Sequence, residues 1–133
     1  MKIDTALLDS LTDLAKDSPR LRASYDLRTT LDDTSQRILN ALEPGTVVPI
    51  HRHSTTSETV ICIRGCVREV FFDESGAEVE SVTMAPGTDC MMVQVEAGRW
   101  HTAESLASGS VICEVKDGPY VVGCQEVFDK NSR

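Results

Sequence analysis

The chain contains three histidines, and all three fall into one arrangement that could hold a metal ion. His51 and His53 flank a single arginine, Glu58 follows beyond the polar turn Ser54-Thr-Thr-Ser57, and His101 closes the downstream stretch Glu96-Ala-Gly-Arg-Trp-His101. Strand side chains alternate with period two, so residues 51 and 53 project from the same face of a β-strand. The carboxylate of Glu58 can reach back to the same point from the neighbouring strand. A neutral imidazole is the commonest metal ligand among side chains, and a carboxylate adds the negative charge that a divalent ion favours.

A lone His-x-His is more often a pair of surface histidines beside a polar turn. Here the glutamate, the flanking Gly45 and Gly65 and the distant Gly98-x-x-His101 reverse those odds. Gly45 lets the chain turn into its strand, and Gly65 ends the next strand without a side-chain clash. Three imidazoles and one carboxylate leave an octahedral ion with open positions for water or substrate, which separates a catalytic site from a closed structural one. Zinc, iron, manganese, nickel and copper all accept this set, and ligand identity does not choose among them. Arg52 alternates with the histidines and points away, into solvent. Gln36, Asn40, Gln94, Glu104 and Glu114 are candidate partners for the ligands or liners of the pocket. Trp100 is expected on the face opposite His101, as packing rather than as a stacking surface for a sugar. Arg37, Arg64, Arg99 and Lys116 are more readily solvated cations than anchors for an anion. Tyr120, in Gly-Pro-Tyr, either sits near the mouth of the site or closes the core.

These side chains need a scaffold of short strands. From Gln36 onward, strand-like runs at about 36–43, 46–51, 58–64, 67–72, 78–84, 89–95, 100–105 and 110–116 are separated by turn residues, the texture of an all-β sandwich or barrel. In Glu58-Thr-Val-Ile-Cys-Ile63 both faces are largely apolar. One face lines the barrel, and the other needs a cover, either a helix or a second subunit, so a homodimer is expected. The helix is signalled upstream: Asp4 is a fitting N-cap, Leu7, Leu8, Leu11 and Leu14 form an apolar stripe, and Pro19 marks the end. Residues 21–35 are polar, with a turn at Asp32-Asp-Thr34.

With 133 residues the chain is of single-domain size. A net charge of -8 argues against nucleic acid, which requires a basic footprint, and against an anionic membrane surface. The N-terminus lacks the apolar run of a signal peptide, and no stretch is apolar enough to span a bilayer. Five cysteines without a CxxC pair read as reduced thiols filling a core, as in a cytoplasmic protein.

The stretch from Gly45 to Gly65 resembles the first motif of the cupin superfamily, G-x5-HxH-x3,4-E-x6-G, at every specified position. The second motif, G-x5-PxGxxH-x3-N, is matched at Gly98 and His101, while Cys90, Glu96 and Ser105 replace its first glycine, its proline and its asparagine. More narrowly, the chain resembles the WbuC-type cupin-fold metalloproteins in Ser18-Pro-Arg-Leu-Arg22, in Gln36-Arg-Ile-Leu-Asn-Ala-Leu-Glu-Pro-Gly45, in Ala97-Gly-Arg-Trp-His101 and in Glu114-Val-Lys-Asp-Gly-Pro-Tyr120. The resemblance implies a double-stranded β-helix, the cupin jelly-roll barrel, over residues 36–120. Residues 1–35 then form a short N-terminal α-helix and lead-in packed on the barrel, and 121–133 a C-terminal tail. It also implies one divalent transition metal held by His51, His53, Glu58 and His101.

Two functions fit. One is a metal-dependent isomerase, lyase or oxygenase acting on a small sugar or hydroxy-acid metabolite of surface-polysaccharide metabolism. The other is a non-catalytic module that binds or senses a small ligand, for instance a carbohydrate, through the metal. The absence of an evident general base weighs toward the second.

Overall fold

Two five-stranded antiparallel sheets face one another in the computed structural model, which describes residues 1–129. Of the C-terminal tail, residues 130–133 lie outside the described residues. The first sheet has the order β1(Arg22–Asp26), β2(Ser35–Leu42), β9(Ser110–Asp117), β4(Glu58–Arg64), β7(Met92–Val95). The second has β10(Gln125–Val127), β3(His51–His53), β8(Trp100–Ser105), β5(Val67–Phe72), β6(Glu78–Met84). This is the jelly-roll barrel of the cupin fold, with one helix, α1(Thr5–Asp17), outside it.

Alternation along the strands decides what fills the barrel. Leu42 of β2, Val60 and Cys62 of β4, Val67 and Phe71 of β5, Met84 of β6, Val95 of β7 and Ile112 of β9 meet in one buried cluster. Residues of opposite parity, Leu39 and Ala41 of β2 and Val111 of β9, form a second cluster with Leu8, Leu11 and Ala15 of α1. The helix is therefore the cover that the two-faced strands require; Ile63 of β4 packs against this cluster, and Arg64 of β4 bonds Asp9 and Thr12 of the helix. Its start is fixed by Asp4, whose Oδ1 accepts the Leu7 N–H at 3.0 Å, an N-cap worth about 1 kcal/mol. The stripe differs from the expected one in a single residue. Leu14 is 62% exposed, because it lies roughly 110° around the helix from the centre of the buried face formed by residues 8, 11, 12 and 15.

Strands β4, β5, β6 and β8 occupy the ranges their alternation predicts. The expected strand 46–51 is displaced to His51–His53, sharing only residue 51 with it, since Pro49 has no N–H to give a ladder. The neighbouring carbonyls find other donors: Val48 O accepts the Thr102 hydroxyl at 2.6 Å, and Ile50 O the Phe128 N–H at 2.8 Å. Two strands carry no such signal. β1 and β10 sit at sheet edges, where one side of the strand faces water and polar residues are favoured. β1 therefore turns part of the polar 21–35 stretch into sheet.

Among the described residues no helix is long and apolar enough to cross a membrane, and all five cysteines are free thiols. Cys62 lies in the barrel cluster, and Cys113 packs beneath the helix.

Candidate metal centre

Strand pairing brings the three histidines together. His51 of β3 is the cross-strand partner of His101 of β8, with ring centroids 4.3 Å apart. His53, two residues along β3, points to the same side. Glu58 arrives from β4, which belongs to the opposite sheet and not to the neighbouring strand that the sequence suggested. Each of the four residues offers one ligand atom, and these atoms all lie within 4.8 Å of one another.

The hydrogen bonds behind the rings fix which nitrogen is available. Nδ1 of His51 lies 2.8 Å from Pro49 O, and Nδ1 of His101 lies 2.9 Å from Arg99 O. A carbonyl only accepts, so each Nδ1 carries the proton and each Nε2 keeps its lone pair. That tautomer accounts for the state of the carboxylate. Glu58 Oε2 stands 3.3 Å from His101 Nε2 and 3.4 Å from His53 Nε2, yet it is a buried oxygen with no hydrogen-bond partner. Lone pairs and an anionic oxygen converging in a dry site are a donor set that suits a divalent cation. An orphaned buried oxygen costs about 1–3 kcal/mol, which a metal bond at that atom would offset.

Electrostatics prepare the ligands for this role. Burial, reinforced by the neighbouring His101, lowers the His51 pKa to about 4, so its imidazole is neutral at physiological pH. Burial works to raise the Glu58 pKa, and the charge of the Lys116 ammonium is among the causes that hold the carboxyl below its usual range. Lys116 is its cross-strand partner on β9.

The four residues lie in a cavity of about 370 Å³, toward the lower end of the range for small-molecule sites. Asn40, Glu114 and Lys116 line it, as does Glu69. The other proposed partners stand elsewhere. Gln36 donates to Gly118 O, Thr59 bonds Gln94, and Glu104 pairs with Arg68. Arg37 pairs with Asp33, Arg64 with Asp9 and Arg99 with Glu80. Arg52 does point away from the site, but its guanidinium is held by Glu126 and Glu74 and lies 4.3 Å over the Trp100 ring. Trp100 is packing, edge-on to Phe128. Tyr120 is 56% exposed and lines a neighbouring depression together with Gln36 and His53.

Glu69 was not singled out from the sequence, and its signal was parity. In Val67-Arg-Glu69-Val-Phe71 it shares a face with two residues that have no exposed surface. Its Oε1 is 3.9 Å from His101 Nε2, and its Oε2 is buried without a partner. Burial, then the charges of Glu58 and Glu114, push its pKa well up. Burial and the Glu58 charge likewise raise Glu114 to about 7, against the opposing pull of Lys116, His101 and Asn40.

Glu114 gives a signed pH prediction for the metal-free protein. A carboxyl raised from 4.5 to about 7 on folding contributes stability that is complete below pH 4.5 and is lost as pH rises through 7. Glu114→Gln is therefore expected to raise unfolding stability at pH 8 by about 3 kcal/mol and to leave it nearly unchanged at pH 4.5. Urea denaturation at the two pH values measures this, and equal effects at both would contradict it.

Fold and site together define a cupin jelly roll with a candidate three-histidine, one-glutamate metal centre. In sequence, a family model described as a domain of unknown function, DUF6016, matches residues 3–84. The chain belongs to that family. No curated protein matches it. Among solved structures it is similar to CapF with the inhibitor 3-isopropenyl-tropolone, at 16% identity and a TM-score of 0.68, over 84% of this chain and 32% of that one. It is also similar to oxalate decarboxylase from Bacillus subtilis, at 18% identity and a TM-score of 0.62, over 80% of this chain and 27% of that one. Oxalate oxidase in complex with the substrate analogue glycolate matches at 16% identity and a TM-score of 0.62, over 78% of this chain and 54% of that one. The chain thus spans between about a quarter and about half of these neighbours, and at such identities the likeness is one of fold.

Proposed function

We propose that the protein binds one divalent transition metal through His51, His53, Glu58 and His101, and that it is an enzyme of the WbuC-type cupin kind. Its substrate would be a small sugar or hydroxy-acid metabolite of surface-polysaccharide metabolism. The observation that carries this reading is the convergence of four ligand atoms within 4.8 Å on the wall of a polar cavity large enough for a small molecule. A bound divalent ion supplies Lewis-acid polarisation of substrate oxygens or an activated water. The chain's own contributions are separable from that. Pro49 O and Arg99 O orient two of the imidazoles. Lys116 adds a positive charge beside Glu58, and the carboxyls of Glu69 and Glu114, both raised in pKa, can donate to, or accept from, a ligand hydroxyl in the cavity. Glu114 favours an enzyme over a silent binder, since a group whose pKa is raised to about 7 is suited to proton transfer.

Purification under anaerobic conditions, metal identification and a screen of small sugars and hydroxy acids for turnover test the proposal. Turnover that disappears in both His51→Ala and Glu58→Gln supports the enzyme. Saturable binding with the ligand recovered unchanged supports the second reading, a binding or sensing module. The free thiols favour a reducing, cytoplasmic setting, which alkylation of all five cysteines in fresh lysate would check. Exposed Met91 and Met92, 46% and 49% exposed, lie beside and on the edge strand β7 and favour a homodimer. A sedimentation mass of one chain at micromolar concentration would exclude it.

A further inference from the structure

Eight arginines lie among the described residues, and six of them hold an ion pair with an aspartate or glutamate. The two without an acidic partner among those residues are Arg20 and Arg22, and both line the metal cavity. In a chain of net charge -8, two unpaired guanidinium groups at one cavity call for a physical reason.

The backbone between them supplies a second observation. Leu21 is the one non-glycine among the described residues with a positive φ, at 56°, a conformation that costs a residue with a Cβ about 1–2 kcal/mol. It is held in place from several sides. Leu21 N donates to Ser18 O at 3.0 Å, and Leu21 O accepts the Glu43 N–H at 2.9 Å. The Thr46 hydroxyl donates to Arg20 O at 2.7 Å. The Leu21 side chain rests on Gly45, where an added Cβ would stand 3.3 Å from Leu21 Cδ1. The strain is therefore fixed by its surroundings and not left to fluctuate. Beyond it, Arg22 pairs across the sheet with Leu42, and Leu42 belongs to the barrel interior. Cross-strand partners share a face, so Arg22 is directed inward, toward the centre. The Ser18-Pro-Arg-Leu-Arg22 stretch is thus a built element of the cavity and more than a connection from helix to sheet.

We propose that Arg20 and Arg22 are the anion-binding end of the ligand site, and that the ligand is a small hydroxylated acid. Its carboxylate or phosphate would lie on the two guanidinium groups while its hydroxyls face the metal centre. This deepens the functional reading above and rests on it for the metal end. The guanidinium fork matches the paired oxygens of either oxyanion. A neutral sugar would leave both cations without a counterion in the complex. The carboxyls of Glu69 and Glu114 line the same cavity and are suited to hydroxyls rather than to a second anion.

The test uses the full chain, zinc-loaded and metal-free, titrated calorimetrically with three probes: D-glycerate, glycerol 3-phosphate and uncharged glycerol. At least one of the two acids is expected to bind the wild type about tenfold or more tightly than glycerol, and the stronger of the two identifies the oxyanion. In R20Q/R22Q that acid is expected to weaken by about tenfold or more, the loss that follows from removing charge-assisted hydrogen bonds. R28Q, which removes an arginine paired with Asp26 outside the cavity, should bind as the wild type does. Circular dichroism and metal content report whether the double variant is folded, and R20Q and R22Q are read singly if it is not. Acid binding unchanged in the arginine variants, or a wild type that does not prefer either acid to glycerol, overturns the proposal. If the wild type holds no metal, the metal reading fails separately. The metal-free titration then decides for or against the arginines.

Discussion

Exchanging His101 for alanine is expected to strip the metal from the protein. Of the four candidate ligands His101 is the most central: it is the cross-strand partner of His51, stands 3.3 Å from Glu58 Oε2 and lies 3.9 Å from Glu69 Oε1. It is 2% exposed, so no water can take its place without entering the barrel. Changing groups that only orient a ligand typically costs 10–100-fold in affinity, and losing the ligand itself should cost more than about a hundredfold. Elemental analysis after dialysis should find about one ion per wild-type chain and less than about a tenth of that in the variant. A second readout comes from linkage. A ligand that binds only the folded state stabilises it by about 2.7 kcal/mol at a hundredfold excess over Kd. Added metal should therefore raise the wild-type melting temperature and leave that of the variant unmoved. Full metal retention in His101→Ala would sink the four-residue assignment.

Much of this centre was legible before any coordinates, for a specific reason. The histidines are few, and strand alternation places residues 51 and 53 on one side without any knowledge of the rest. What the sequence did not carry was the pairing of sheets. Glu58 reaches the site across the barrel, from the sheet opposite to that of the histidines, a relation that depends on how the jelly roll closes. The same limit explains the cavity wall. Glu114 is among the liners that the sequence suggests, but Glu69 reads as an ordinary strand acid until its parity with Phe71 shows that it must face inward. Arg20 and Arg22 were hidden more deeply. Arg22 opens a polar edge strand, Arg20 lies in the turn before it, and nothing in Ser-Pro-Arg-Leu-Arg announces that Leu21 takes a left-handed conformation. The helix stripe shows the opposite error: Leu14 fits a helical period, but the buried face is set by the sheet beneath it.

Gly65→Ala is expected to destabilise the fold by about 3–5 kcal/mol, without touching the site. Gly65 closes the cupin-like motif and has a φ of 83°, which alone costs an L-residue about 1–2 kcal/mol. A Cβ there would also stand 2.3 Å from Ser110 Oγ and 2.7 Å from Ser110 Cα. The second contact is with backbone, so a rotamer change cannot relieve it. Ser110 cannot retreat cheaply either. Its hydroxyl accepts the Cys66 N–H at 3.1 Å and lies 2.7 Å from Ala107 O, and it is 1% exposed. Gly98 is the informative contrast. It is as strained in φ, at 80°, but an added Cβ would meet nothing within 4 Å, so Gly98→Ala should cost only about 1–2 kcal/mol. Yet Gly98 N donates to His53 O at 2.8 Å, so its variant is the one expected to disturb metal affinity. Gly65 lies at the far end of β4 from Glu58, roughly 20 Å along the strand. Chemical denaturation and metal titration on the two variants should therefore rank them in opposite orders. A Gly65 variant as stable as the wild type would show that the β4–β5 turn can move off Ser110, and that packing is not what requires glycine there.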